Sequence, residues 1–248
     1  MNKILIGKKI ISDSPSVVVD NNKITLTESS EYFINYVDQI DYEIIFNIYN
    51  DVKIFESSFD CNLDIDNHYI INDGSVEITK FYNNTRVTEK INIDLCGDGS
   101  SVNYKFSNIC KEIENYEINI YHKAKDTASN VINKSVALKN SDIKFVINSY
   151  VYKDSYRAII NQNTRIVTMG ECNAAISPNM FIDLDDASAK HGSIIGTFKE
   201  EDIFYLMNKG ISYNDTLKLL VKGYLFSNLG EHTHLREKVF DIINMYWR

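Results

Sequence analysis

Residues 91–106 of the chain read INIDLCGDGSSVNYKF, and this stretch contains the pattern that decides the fold. Successive side chains of a β-strand point to opposite faces, so apolar residues at every second position predict a strand that is apolar on one face. The turn-forming sequence Gly97-Asp98-Gly99 separates two such strands here. The alternating apolar residues are Ile91, Ile93, Leu95, Val102, Tyr104 and Phe106.

The same alternation extends on both sides of this stretch, from about Val17 to about Ile182. Turn-prone clusters such as Asn72-Asp73-Gly74 bound the segments. Short strands at intervals of roughly 8–12 residues are typical of a sandwich, a barrel or a solenoid. The alternation predicts a mainly β body but does not choose among these three architectures. Further examples are Cys61/Leu63/Ile65, Val76/Ile78 and Ile118/Ile120.

The pattern changes to helical spacing after Gly196. Thr197 and Glu200 have the spacing of a capping box, in which each side chain bonds the other residue's backbone N–H. We therefore predict a strand-rich body at residues 1–196 and a three-helix domain at residues 197–248. The three helices are expected to begin near Thr197, Ser212 (or Asn214) and Thr233, and to end near Gly210, Gly230 and Tyr246.

Composition narrows the class of protein. The 248 residues are 44% hydrophobic and carry a net charge of -8, which argues against a nucleic-acid surface, since such a surface needs a basic stripe. No apolar run reaches the length of a membrane span, and the first residues do not resemble a signal peptide. The four cysteines form no C-x-x-C pair. We expect a cytoplasmic protein with free thiols that binds neither nucleic acid nor membrane.

Five segments carry a family resemblance. Residues 187–196 (ASAKHGSIIG) resemble a strand that ends in a His-Gly or His-Glu step, and residues 202–211 (DIFYLMNKGI) and 216–224 (TLKLLVKGY) resemble the two helices that follow it. Upstream, Ser155-Tyr156-Arg157-Ala158 is similar to an S-Y-R-G strand, and Gly170-Glu171-Cys172 with Ser177-Pro178 is similar to a G-D-x-C … x-P turn. The family with this set of motifs is the SufB/SufD family of iron–sulfur cluster assembly proteins.

The resemblance implies a right-handed parallel β-helix with a small C-terminal helical domain, in a short form that lacks most of the family's N-terminal helical domain. It further implies a non-catalytic scaffold that pairs with a second SufB/SufD scaffold, as a homodimer or a heterodimer. SufC, an ABC-type ATPase, is the implied second partner and docks on the C-terminal helices. Its implied contact residues are Phe204, Tyr205, Met207, Gly210, Leu217, Val221 and Tyr224.

His191 matches the family histidine at the scaffold–scaffold interface and is the first candidate for a cluster or iron ligand, because a neutral imidazole has a free lone pair. The alternative is a histidine that caps the last strand by hydrogen bonding. Cys172 is the second candidate, against the alternative of a small buried apolar residue. The family's cysteines have no match here, since their positions correspond to Asn163 or Thr164 and to Ala189. Gly192 follows the histidine, as in SufD. We expect no tightly bound cofactor, but a transient iron–sulfur cluster.

Other candidate sites have weaker patterns. No phosphate-binding glycine loop is present, so ATP hydrolysis must belong to another chain. His232 and His234 point apart at i, i+2 spacing on a helix, so we interpret them as a solvated helix N-terminus. One alternative function is a β-solenoid enzyme acting on polysaccharide, with carboxylates in an aromatic-lined groove. A degenerate family member that only binds partners is the other alternative. The candidate carboxylates are Asp183, Asp185 and Asp186.

Overall fold

A computed structural model describes residues 2–230 and 233–247, with the side chain of His234 also outside the described part. Seventeen strands and then three helices follow one another along these residues. The strands are β1 Asn2–Ile6, β2 Ile10–Ser12, β3 Val17–Asp20, β4 Lys23–Leu26, β5 Glu31–Tyr36, β6 Glu43–Ile48, β7 Val52–Phe59, β8 Asn62–Ile71, β9 Ser75–Asn83, β10 Arg86–Leu95, β11 Ser101–Cys110, β12 Ile113–His122, β13 Ala128–Leu138, β14 Asp142–Val151, β15 Ile159–Met169, β16 Asn173–Ile182 and β17 Ser188–Gly196. The helices are α1 Glu200–Met207, α2 Tyr213–Leu229 and α3 Thr233–Tyr246.

The strands form two sheets, and consecutive strands from β4 onward fall in opposite sheets. Sheet A has the order β17-β15-β13-β11-β9-β7-β5-β1-β2, and sheet B has the order β16-β14-β12-β10-β8-β6-β4-β3. Each strand from β5 onward pairs in parallel with the strand two positions away in the chain. The prediction of a parallel solenoid is therefore confirmed, with about seven turns, and the sandwich and the barrel are excluded.

Residues 91–106 lie at one corner of this solenoid. Its two alternating segments belong to β10 in sheet B and β11 in sheet A, and the glycine turn carries the chain from one sheet to the other. A Cβ at Gly97 would lie 2.2 Å from the backbone oxygen of Asn72 in the preceding coil, so only glycine fits there. Aligned registers stack the apolar side chains of successive coils into one core between the sheets.

The two ends of the solenoid differ. At the N-terminal end, β2 pairs antiparallel with β1 and β3 pairs antiparallel with β4, so each sheet finishes in a short hairpin. At the C-terminal end, β16 and β17 each have a paired neighbour on one side only, so both strands have a free backbone edge.

The three helices form where the sequence predicts them, except that the N-cap of the first helix differs. α1 begins at Glu200 with Lys199 as its N-cap and no side-chain bond, so the predicted capping box at Thr197 is wrong. Phe198 is 8% exposed and meets the Tyr224 ring edge-on at 6.1 Å, and burying it holds the chain in an extended path beyond Thr197. Ser212 caps α2 as predicted, and its hydroxyl accepts the backbone N–H of Asp215.

α2 and α3 pack on the outer face of sheet A. They share an apolar cluster with Phe81, Ile109, Val136 and Val167 of that sheet. Asn228 is buried in this contact and donates from Nδ2 to the backbone oxygens of Phe106 (2.9 Å) and Ile132 (3.2 Å). Within residues 2–230 and 233–247, no helix is long and apolar enough to cross a membrane. His232 and the side chain of His234 lie outside the described residues, so the prediction about them stays open.

Candidate functional site

The last turn of the solenoid exposes residues that in every earlier turn face the core. The side chains of β17 alternate between the outer face and the interior, as do those of β15 beneath it. Pairing β17 on β15 aligns His191 with Gln162 and Ile195 with Ile166, which is completely buried. The residues at the inward positions of β17 are therefore Ala189, His191, Ser193 and Ile195, and all four are exposed because no further coil covers them.

His191 lies in the middle of this open end. Gln162, directly beneath it, is buried and donates from Nε2 to the hydroxyl of Ser149 (2.8 Å) and to the backbone oxygen of Asn179 (3.3 Å), both on sheet B. The imidazole therefore stands above the polar centre of the solenoid interior. The strand continues beyond the His191-Gly192 step to Gly196 and does not end there.

Cys172 lies at a different corner. It immediately precedes β16, is half-buried against the core, and burial raises the pKa of its thiol. Seven residue steps along β15 lead from Gln162, beneath His191, to Met169 at the strand end next to Cys172. At about 3.3 Å per residue this distance is roughly 20 Å. The structure thus keeps the two candidate ligands apart, and in the described part of the chain no three His, Cys, Asp or Glu side chains form a metal site.

The positions that correspond to the family's cysteines offer no alternative ligand. Thr164 is buried and accepts from Nδ2 of Asn133 at 2.9 Å, whereas Asn163 points outward and is exposed. Ala189 is at the open end but has only a methyl group. The Ser155–Ala158 motif lies in the turn between β14 and β15 and not in a strand, because Arg157 has a φ of 60° and pairs bidentately with Asp126. The Ser155–Ala158 motif therefore shapes the turn between β14 and β15.

α1 presents an apolar surface to solvent. None of its residues is buried, and Phe204 and Tyr205 are 61% and 63% exposed. Met207 is also exposed, and Gly210 follows the helix with a φ of 84°. Next to α1 a groove of about 590 Å³ separates it from sheet A. Its apolar lining residues are Leu138, Met169, Phe198, Ile203, Leu217 and Trp247.

The predicted contact residues on α2 serve the chain's own packing. Val221 is completely buried, and Leu217 is half-buried in the cluster between α2 and sheet A. Tyr224 donates its hydroxyl to the backbone oxygen of Arg165 and its ring lies against Phe198. Of the predicted contact residues, those with exposed apolar side chains therefore lie on α1.

The acidic loop contributes to a turn of the chain. Asp186 uses Oδ1 to accept the backbone N–H of Arg157 at 3.3 Å, as a turn residue does. The aromatic residues of sheet B stack on one another, with Tyr150 4.9 Å from both Tyr121 and Phe181 and the rings nearly parallel. Stacking covers both faces of the Tyr150 ring, whereas Phe181 in the last coil is 51% exposed.

Sequence reasoning missed the polar interior. Lys80 occupies an inward position of β9 between Ile78 and Tyr82, and it forms ion pairs with Glu56 and Glu89 inside the solenoid. The signal was present in the alternation, because a lysine at an apolar position of an otherwise regular strand predicts a buried partner of opposite charge.

The fold defines the class as a parallel β-solenoid protein with a C-terminal helical tail packed on its side, and comparison with known proteins gives the family. A model described as "SUF system FeS cluster assembly, SufBD core domain" matches residues 56–224, which is more than half of the chain. The chain belongs to the SufB/SufD family.

Individual relatives are similar over part of their length. The SufD protein of Bacillus subtilis is 24% identical over 135 residues, which cover 53% of this chain and 31% of the relative. SufB of the same organism is 24% identical over 106 residues, covering 42% and 23%. A SufBD family protein of Pyrococcus horikoshii is 40% identical over 48 residues, covering 19% and 11%. The chain thus spans less than a third of each of these relatives.

Proposed function

We propose that the chain is a scaffold subunit for iron–sulfur cluster assembly, which pairs with a second scaffold through its open end and binds an ABC-type ATPase of the SufC type through α1. The observation that carries the proposal is the uncovered last coil with His191 on its inward face. The proposed cargo is an iron–sulfur cluster, because the matched relatives are named as iron–sulfur cluster assembly proteins.

The asymmetry of the ends supports pairing. A free strand edge with unpaired N–H and C=O groups tends to pair with another chain unless something covers it. Here the N-terminal edges belong to short hairpin strands, whereas the C-terminal edges belong to strands of 9 and 10 residues. Assembly through one end only gives a closed pair and not a filament, because a two-fold contact uses the same surface on both subunits.

The ATPase surface is supported by the exposure of α1. Large apolar side chains that are exposed together on one short helix are typical of a partner surface, and aromatic residues contribute most to such contacts. Phe204 and Tyr205 have this exposure, whereas Leu206, which follows them, is half-buried.

Co-purification with the ATPase from the same organism tests this role. We expect the wild-type chain to retain the ATPase and Phe204→Ser/Tyr205→Ser to lose it, since the two aromatic anchors make no buried contact within the chain. The matched control is Tyr49→Ser, which removes an aromatic ring that is 55% exposed on the N-terminal half. Retention of the ATPase by the double variant would reject α1 as its docking helix.

A further inference from the structure

Two cations lie side by side on the outer face of sheet A. Lys134 of β13 pairs in register with Arg165 of β15, and neighbouring strands of a sheet lie about 4.8 Å apart. The ring of Tyr224 from α2 contacts both side chains, with its centroid 5.4 Å from Nζ of Lys134 and 5.5 Å from Cζ of Arg165. Both cations are half-buried, so they are close together and partly removed from water.

Neither cation has an acidic partner in the described part of the chain, where no carboxylate lies within ion-pair distance of Lys134 or Arg165. By contrast, Nζ of Lys105, another half-buried lysine on this face, lies 2.6 Å from Oε1 of Glu77. Burial and the charge of Arg165 lower the pKa of Lys134, because two like charges that are partly removed from water repel each other. An uncompensated double positive charge on a chain of net charge -8 is suited to bind an anion from outside.

The free N–H groups of the two side chains define the ligand. A lysine ammonium has three N–H donors, and Lys134 uses one of them on the hydroxyl of Ser227, at 2.5 Å. The Arg165 guanidinium makes no hydrogen bond to a described residue, so its planar fork of donors is free. The Tyr224 hydroxyl is already used, because it donates to the backbone oxygen of Arg165. Two positive charges and several N–H donors match the roughly two negative charges and the acceptor oxygens of a phosphate group.

The pair lies at an open part of the surface, away from α1. Ile194 of β17 is the next position in the row beyond Arg165, and it is 58% exposed. A Cβ at Gly192, the preceding outward position of β17, would meet nothing within 4 Å beyond its chain neighbours. The groove beside α1 reaches Leu138 and Met169, which lie four residues further along β13 and β15, or about 13 Å away. A small anion can therefore reach the pair without entering the surface proposed for the ATPase.

We propose that Lys134 and Arg165 form a binding site for a phosphate group, and that Tyr224 and Ser227 hold the two cations in place. Arg165 binds two phosphate oxygens with its fork, and Lys134 neutralises the remaining charge as a point donor. Inorganic phosphate and a nucleoside monophosphate present the same group, so either can be its source. The site is independent of the proposed scaffold role and of its partners.

NMR titration of the full chain tests the site, with inorganic phosphate and adenosine monophosphate as the probes and the ionic strength held constant with sodium chloride. We expect saturable shifts of the backbone amide signals of β13, β15 and β17 around the two cations. Arg165→Gln and Lys134→Gln should each increase the dissociation constant at least about tenfold, because each removes charge-assisted hydrogen bonds. Lys105→Gln is the matched control and should stay within about twofold of wild type, because Glu77 already neutralises that lysine.

A variant that keeps both cations completes the test. Ile194→Glu places a carboxylate in register beside Arg165, where it occupies the site from within the chain and should abolish the phosphate-induced shifts. Because Ile194 is exposed, this variant should fold, and it decides the outcome if Arg165→Gln or Lys134→Gln unfolds. Shifts with inorganic phosphate show that the group alone is sufficient, and shifts with the nucleotide alone assign the site to a larger phosphate compound. No saturable shift with either probe, or shifts that persist in Ile194→Glu, would overturn the site.

Discussion

Nζ of Lys80 lies 3.1 Å from Oε2 of Glu56, and neither side chain is exposed to solvent. A second buried carboxylate, Glu89, also pairs with Lys80, and Tyr36 and Tyr69 donate their hydroxyls to Glu56. Burial alone lowers the pKa of Lys80, but the charges of Glu56 and Glu89 outweigh it and the pKa of Lys80 is raised. An ionic centre thus lies inside an otherwise apolar solenoid.

Removing the cation from this centre should destabilise the fold strongly. In Lys80→Met two carboxylates remain buried without their counter-charge, and breaking a buried ion pair costs about 3–5 kcal/mol. Urea unfolding should show this loss as a lower midpoint with an unchanged slope.

Two controls accompany this measurement. Lys53→Met removes an exposed lysine that is 3.5 Å from Glu31, and it should cost about 1 kcal/mol or less. Glu56→Gln/Lys80→Met/Glu89→Gln removes all three charges and should recover most of the stability. A single Lys80→Met variant as stable as Lys53→Met would contradict the ionic centre.

Glu114 should make the stability fall as the pH rises. Burial raises the pKa of its carboxyl to about 8, although hydrogen bonds from Tyr116 and Asn108 oppose the shift. The pKa in the unfolded chain is about 4.3, so the stabilisation is complete below that pH and is lost as the pH rises through 8. The expected slope is at most about 1.4 kcal/mol per pH unit.

Unfolding free energies of wild type and Glu114→Gln between pH 5 and pH 9 measure this effect. The glutamine oxygen can accept the same two bonds and cannot ionise, so the variant should lose the slope. Parallel pH profiles of the two proteins would mean that Glu114 is already charged at neutral pH.

His122 should be a neutral imidazole with its proton on Nδ1. Its Nδ1 lies 2.8 Å from Oγ1 of Thr127, whose own hydroxyl donates to the backbone oxygen of Ala124, so Thr127 accepts from the ring. Nε2 then accepts from Ser129 at 2.9 Å. Burial lowers the pKa of His122 to about 4, below the 6.5 of an unfolded chain.

The contribution of His122 to stability is therefore complete above pH 6.5 and is lost as the pH falls through 4. Long-range proton–nitrogen NMR correlation at pH 6 should find the Nδ1–H tautomer. In Thr127→Val the ring loses its acceptor at Nδ1 and the tautomer preference should weaken. A charged ring or an Nε2–H tautomer at pH 6 in the wild type contradicts the assignment.

The strands were predictable because alternation is a local property, as Ile91, Ile93 and Leu95 illustrate. The choice of a solenoid was not predictable from that alternation, since the pairing of Ile91 with Ile118 in the next coil is a long-range register that short segments do not encode. Here the family resemblance supplied what periodicity lacked. The capping box failed because tertiary burial of Phe198 outweighed a local pattern.

The candidate site was predictable only in part. The sequence identified His191 and the exposed aromatic residues of α1, but not that His191 and Cys172 lie roughly 20 Å apart, since that distance follows from coil geometry. It also offered Val221 as a contact residue, and helical periodicity does not distinguish a face that packs on the solenoid from one that meets a partner.

The geometry of the open end predicts that His191, and not Cys172, governs iron loading. His191 is exposed on the inward face of the last coil, where a second scaffold can bring further ligands, whereas Cys172 is half-buried at a distant corner. After anaerobic incubation with ferrous iron and sulfide, His191→Ala should retain less than about half of the wild-type iron, and Cys172→Ser should retain all of it. The reason is that only His191→Ala removes a ligand at the proposed interface. His68→Ala is the control, since His68 is a half-buried histidine on the outer face that bonds Asp94 at 2.9 Å. Equal iron in all three variants would exclude His191 as a ligand, and a loss confined to Cys172→Ser would move the cluster to the other corner of the solenoid.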